Sequence, residues 1–239
     1  MPANSLRELW NRVMRIMSGA GPARLLAAYG GTTFLVYVET AGFTRNAPFL
    51  ASLPLLVLAA FTVSLNISPQ AKYCTTASFF LTGFALYLQA SAWGSMAVAA
   101  LLQTASNLLF LLSFYVLIRQ WSRPITLFFG MLYVFFVWNC FSDLLFSIPT
   151  LVCSLMMCVA SAALLVVASG SLSQNGSLDD ESNIQTSFVR FVGAVLHMAC
   201  FMMAIYNMFG NRSERTLVFA RALEYIAQGL MFLANEREF

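Results

Sequence analysis

Only 10% of this chain is charged, so an ionisable group inside one of its apolar runs needs a partner or a chemical task to explain it. The last such run carries Arg221, Glu224 and Gln228 at i, i+3 and i+7, which on a helix is a single polar stripe turned to the interior. Two readings fit that stripe. Arg221 and Glu224 satisfy each other as an ion pair tied to a neighbouring helix, or Glu224, a carboxylic acid in an apolar setting, serves as a general acid. The seventh run adds His197, Tyr206 and Asn207, and the fourth adds Gln103, Ser106 and Asn107. Amides and hydroxyls at such spacing read first as hydrogen-bonding glue between helices. Glu39 and Asp143, at the ends of the first and fifth runs, read as side chains reaching for an interface.

Other chemistries have no foothold. The chain contains no GxSxG, HExxH, phosphate-binding loop or Gly-rich dinucleotide fingerprint. Its five cysteines (Cys74, Cys140, Cys153, Cys158, Cys200) lie in apolar runs without a CxxC, and read as small buried hydrophobes. Neither a metal nor a cofactor is expected. The 13 basic residues are scattered in ones and twos, which excludes a nucleic-acid surface.

The elements that position these groups follow from composition. With 59% hydrophobic residues, 22 Phe and a mean hydropathy of +0.75, the chain cannot clothe a water-facing surface. Since a span needs ~20 mostly apolar residues, cutting at clusters of charge and turn residues predicts eight. They run over 23–43, 48–67, 73–92, 95–118, 124–142, 148–169, 187–209 and 215–234. The fold class is therefore all-α, a polytopic bundle whose short links make neighbouring helices antiparallel. The polar and acidic stretch 170–186 reads as a solvent-exposed loop.

Residues 1–22 put Leu6, Leu9, Trp10, Val13, Ile16 and Met17 on one helical face and Arg7, Asn11, Arg12 and Arg15 towards the other. This predicts an amphipathic interfacial helix ahead of the domain 23–239. Arg7, Arg12, Arg15, Arg24, Lys72, Arg119, Arg123, Arg190 and Arg237 fall on the side of the N-terminus, against Arg45, Arg212, Arg215 and Arg221 opposite. Both termini are accordingly expected on the cytoplasmic or matrix side, in an endomembrane or the mitochondrial inner membrane.

Several segments, taken in order, match a known pattern. Phe80-Leu-Thr-Gly-Phe84, Asn107-Leu-Leu-Phe-Leu-Leu-Ser-Phe114, the run from Gly193 to Phe209, and Glu224-Tyr225-Ile226-Ala227-Gln228 resemble segments of the lysoplasmalogenase (YhhN-like) family of eight-span membrane proteins. The second span is similar to the family's Pro-containing second span, with Ser52 where a lysine is expected. The resemblance implies hydrolysis of the vinyl-ether bond of lysoplasmalogens by a pair of acids. At the positions it implies for them, this chain has Phe84 and Phe201, and Asn107 stands for a histidine. Phenylalanine neither donates nor accepts a proton, so the resemblance implies a divergent member without the family's mechanism.

Three functions are carried forward. The first is a non-catalytic structural or lipid-binding subunit of a membrane assembly, with membrane lipids and other membrane subunits as partners. The second is an active lysoplasmalogenase whose site is reassigned to Glu224, His197 and Asp143. The third is a small-molecule or lipid transporter. The lipid-pocket candidates are Ser52, Phe84, Gln103, Asn107, His197, Phe201, Tyr206, Asn207, Tyr225 and Gln228. Phe84 and Phe201 are expected side by side in the former site.

Overall fold

The structure, a computed structural model, describes residues 22–91, 94–175, 181–210 and 213–238. Among these residues every regular element is helical. The order is α1 (Pro22–Glu39), α2 (Pro48–Ser64), α3 (Pro69–Ala90), α4 (Met96–Phe114), a short 3-10 turn (Tyr115–Leu117), α5 (Arg123–Phe141), α6 (Pro149–Asn175), α7 (Glu181–Phe209) and α8 (Glu214–Glu238). The interfacial helix expected over 1–22 lies outside the described residues, apart from Pro22, which opens α1.

Proline sets most helix starts. Pro22, Pro48, Pro69 and Pro149 each begin a helix, and Pro124 is the second residue of α5. There its missing N–H is one that no helix would have used, and its fixed φ suits the first turn. Ser68 completes the start of α3 by accepting from the Ala71 amide at 3.4 Å.

Five helical stretches are long and apolar enough to cross a membrane: Met96–Leu117, Arg123–Phe141, Pro149–Gln174, Gln185–Phe209 and Arg215–Asn235. That is consistent with an integral membrane protein. The helix α2 is apolar but has 17 residues, and α3 turns Thr75, Ser78 and Thr82 inward, which dilutes its apolar character.

Sequential helices pack on one another, α7 with α8, α2 with α3 and α3 with α4 most extensively, and α4 with α6 across the bundle. The main core joins Leu55, Leu58, Phe79, Phe110, Phe114, Leu165, Val166, Met198, Met231 and Phe232. A second cluster gathers Phe136, Phe141, Val152, Val159 and Ile205. α5 sits at the rim, leaning mainly on α6, and turns Leu127, Phe128, Met131, Val134, Phe135 and Trp138 outward.

The described residues of the stretch 170–186, expected as a loop, are helical. Helix α6 continues to Asn175 and α7 begins at Glu181, with Gly170, Ser171, Leu172, Thr186 and Ser187 buried. Polarity misleads here because the serines are paired. The hydroxyl of Ser171 accepts from the Ser122 amide at 2.9 Å, and Gln174 Oε1 accepts from the Ser122 hydroxyl at 2.6 Å.

Between α1 and α2 the chain makes a tight turn in which Ala41, Gly42 and Phe43 all have positive φ (50°, 75° and 65°). Two non-glycine residues in the left-handed region cost of order 1–3 kcal/mol each. Burial of the Phe43 ring against Tyr37 and Tyr225 offsets that cost.

Candidate functional site

The groups of the candidate centre come from five helices. α7 supplies His197, α8 supplies Glu224 and Gln228, α4 supplies Gln103, Ser106 and Asn107, α3 supplies Ser78 and Thr82, and α6 supplies Ser161. All of them are buried. His197 Nδ1 lies 2.9 Å from Glu224 Oε2, and its Nε2 lies 2.9 Å from Asn107 Oδ1. The Gln228 amide donates to Glu224 Oε1 at 2.7 Å and also lies 3.1 Å from His197 Nδ1. Gln103 Nε2 donates to Asn107 Oδ1 at 3.3 Å and to Thr82 Oγ1 at 3.2 Å. The chain of bonds continues through Ser106 to Ser78.

The geometry fixes the tautomer. Ser161 spends its hydrogen on the Cys158 carbonyl, so it must accept from Asn107 Nδ2, at 3.0 Å. That turns Asn107 Oδ1 towards His197. A carbonyl oxygen only accepts, so Nε2 carries a hydrogen and Nδ1 is left to Glu224. Nδ1 and Glu224 Oε2 then face each other at 2.9 Å, a separation that a proton on either atom would bridge.

The expected Arg221–Glu224 pair does not form, and this corrects one reading of the stripe. The Arg221 guanidinium points to the α1–α2 turn, donating to the Phe43 carbonyl at 2.7 Å and reaching Asn46 Oδ1 at 3.4 Å. Local i, i+3 proximity loses because that carbonyl, left exposed by the tight turn, needs a donor, while Glu224 already has His197 and Gln228.

The other candidates separate. Tyr225 is buried outside the amide network. Its hydroxyl donates to the Ala51 carbonyl at 2.8 Å, and its own carbonyl accepts from the Tyr29 hydroxyl at 2.6 Å, tying α1, α2 and α8 together. Asn207 accepts from the Ser213 amide at 2.7 Å, a bond that organises the α7–α8 link. Tyr206 points outward at 58% exposure, and Asp143 is exposed in the turn after α5, beside Ser142. Neither joins the centre.

Phe84 and Phe201 occupy different surroundings, contrary to expectation. Phe201 packs edge-on against the His197 ring at 4.8 Å between centroids. Phe84 is 45% exposed and stacks on Tyr87. It lines an outward-facing apolar groove of about 210 Å³ with Phe49, Ser52, Leu56, Phe80, Gly83 and Tyr87. Thr82, two residues earlier, takes the inward face of α3 that a shared pocket would have required of Phe84.

A second buried polar group was not anticipated. Arg190, expected at an interface, is fully buried in α7. It donates to Asn235 Oδ1 at 2.8 Å and covers the Phe114 ring at 4.5 Å. Asn235 donates in turn to Thr75 at 2.7 Å and to Ser113 at 3.4 Å. The signal was present in the spacing, because Asn235 lies two heptads beyond Arg221 on the stripe of Glu224 and Gln228, and Thr75, Ser78 and Thr82 repeat at i, i+3 and i+7 on α3.

Among the described residues no cluster of His, Cys, Asp and Glu could hold a metal ion. Comparison with protein-family models, with curated proteins and with solved structures finds no match to this chain.

Proposed function

We propose that the chain is a non-catalytic, multi-pass membrane protein that serves as a structural or lipid-contacting subunit, a divergent relative of the lysoplasmalogenases. One observation carries this reading: the centre is closed on itself. Both nitrogens of His197, both oxygens of Glu224 and both polar atoms of Asn107 are engaged by protein groups from α4, α6, α7 and α8. A hydrolase must aim such groups at substrate and water. Here they aim at each other, which is how buried polar residues hold helices together in lipid. The groove beside Phe84 is the surface where the chain would meet an acyl chain, and the remaining three helices complete eight spans.

The hydrolase reading stays in play through one contact, the 2.9 Å approach of Glu224 to His197, an acid beside a base. The test is direct. Purified protein in lipid nanodiscs, given a lysoplasmalogen, should release no aldehyde above a protein-free blank. Aldehyde release that disappears in Glu224→Gln would replace the scaffold with the reassigned active site.

A further inference from the structure

Gln228 occupies a position that a purely structural amide does not need. Its nitrogen lies 2.7 Å from Glu224 Oε1 and 3.1 Å from His197 Nδ1, so each of its two hydrogens has an acceptor in reach. While a proton lies between Nδ1 and Oε2, Nδ1 is already engaged and the second amide hydrogen is spare. Were that proton lost, two lone pairs would face each other across 2.9 Å. The spare hydrogen would then cover Nδ1, while the first remains on the carboxylate.

From this geometry we infer that His197, Glu224 and Gln228 form a reversible proton-binding site within the bundle, in which the Gln228 amide supplies the hydrogen bond that the departing proton leaves behind. The balance is simple. The proton passes to water, one N–H or O–H bond is broken, no electron moves, and the pair goes from neutral to a single negative charge. Asn107 keeps Nε2 protonated in both states, which confines the exchange to the Nδ1 side. Glu224 is the less enclosed member of the pair, 8% exposed against 1% for His197.

The other ionisable groups around Glu224 are Tyr29 on α1, Cys158 on α6, Cys200 on α7 and Tyr225 on α8. Helices α3 and α4 present only hydroxyls and amides to the network. Arg221, the nearest guanidinium on α8, is committed to Phe43 and Asn46. Among the described residues, therefore, His197 is the only basic side chain in contact with Glu224. The site needs no lipid substrate, and it stands or falls separately from any hydrolase activity.

The chain has a single histidine, so 15N-histidine labelling reports this site alone. In nanodiscs scanned over pH, the Nε2 resonance should remain that of a protonated nitrogen throughout. The Nδ1 resonance should move reversibly from a shared-proton position to that of a bare acceptor. Gln228→Met should shift the Nδ1 midpoint upward by about one pH unit or more, a tenfold gain in proton affinity, because the deprotonated form loses its donor. If that variant fails to fold, Gln228→Asn, which withdraws the amide by one methylene, is read in its place. An Nδ1 signal that is flat with pH, an unprotonated Nε2, or an unmoved midpoint in the variant would each overturn the proposal.

Discussion

Gly193 lies directly on the backbone of Ala227. A Cβ at Gly193 would stand 3.2 Å from the Ala227 carbonyl oxygen and 2.9 Å from Met231 Cγ. This close approach of α7 to α8 sits one turn before His197 and beside Gln228, and it brings the imidazole within reach of the Glu224 carboxyl. Gly193→Val should therefore push the helices apart. Overpacking of this kind costs ~1–3 kcal/mol, read as a lower melting temperature in detergent. The 15N signature of His197 should change in the same variant, and a native signature with unchanged stability would show that the approach is dispensable.

Asn235 joins the buried Arg190 to α3 and α4. Asn235→Leu removes an acceptor from a guanidinium, and a hydrogen bond to a charged group is worth ~1.5–3 kcal/mol. Thr75→Val, which removes only a neutral acceptor, should cost about 1 kcal/mol or less. The ordering of the two losses in thermal unfolding checks the assignment, and equal losses would contradict it.

The α1–α2–α8 junction rests on two tyrosine hydroxyls. Tyr29→Phe and Tyr225→Phe should each destabilise by about 1 kcal/mol through loss of a hydrogen bond that joins two helices. Because Tyr29 donates to the Tyr225 carbonyl while Tyr225 donates to Ala51, the double variant should show coupling in a mutant cycle. Strict additivity would mean that the two bonds act independently.

Topology follows from the eight-span reading. Tags placed at the two ends should be protected together or digested together when sealed vesicles are treated with protease. Opposite accessibility would remove that reading and leave an odd number of crossings.

Much of the scaffold was legible because a hydrocarbon-facing helix announces itself by composition over ~20 residues. The segments expected as spans coincide closely with helices among the described residues, five of them long and apolar enough to cross a membrane, with prolines marking most starts. His197, Glu224, Gln228, Gln103 and Asn107 were also legible, since polar groups at helical spacing in an apolar run must face inward. Partnership was not. Spacing within one helix placed Glu224 with Arg221, whereas His197, 27 residues away, is its partner, and only the antiparallel register of α7 and α8 reveals this. That register shows in two rungs, because seven residues separate Arg190 from His197 and seven separate Gln228 from Asn235, with Arg190 meeting Asn235 and His197 meeting Gln228. Phe84 was misplaced because an apolar residue on an apolar helix gives no sign of which face it takes. The described part of 170–186 was misread because Ser171 and Ser173, which look solvated in sequence, are satisfied by Ser122 and by their own helix.

The rim position of α5 has a consequence for how freely this chain can vary. Phe136 and Phe141 are its only buried side chains, so its outward positions need to be apolar and nothing more. Swaps among Leu, Phe, Met, Val and Trp at 127, 128, 131, 134, 135 and 138 should pass a saturation scan almost unnoticed, while Asp, Lys or Arg there carries a penalty of ~2.5–3.5 kcal/mol. The inner stripe of α8 follows the opposite rule, since Gln228 and Asn235 are held by donors and acceptors at set distances, and even a near-isostere breaks the pattern. Such a scan would find one helix tolerant by class and another, in the same bundle, intolerant by identity.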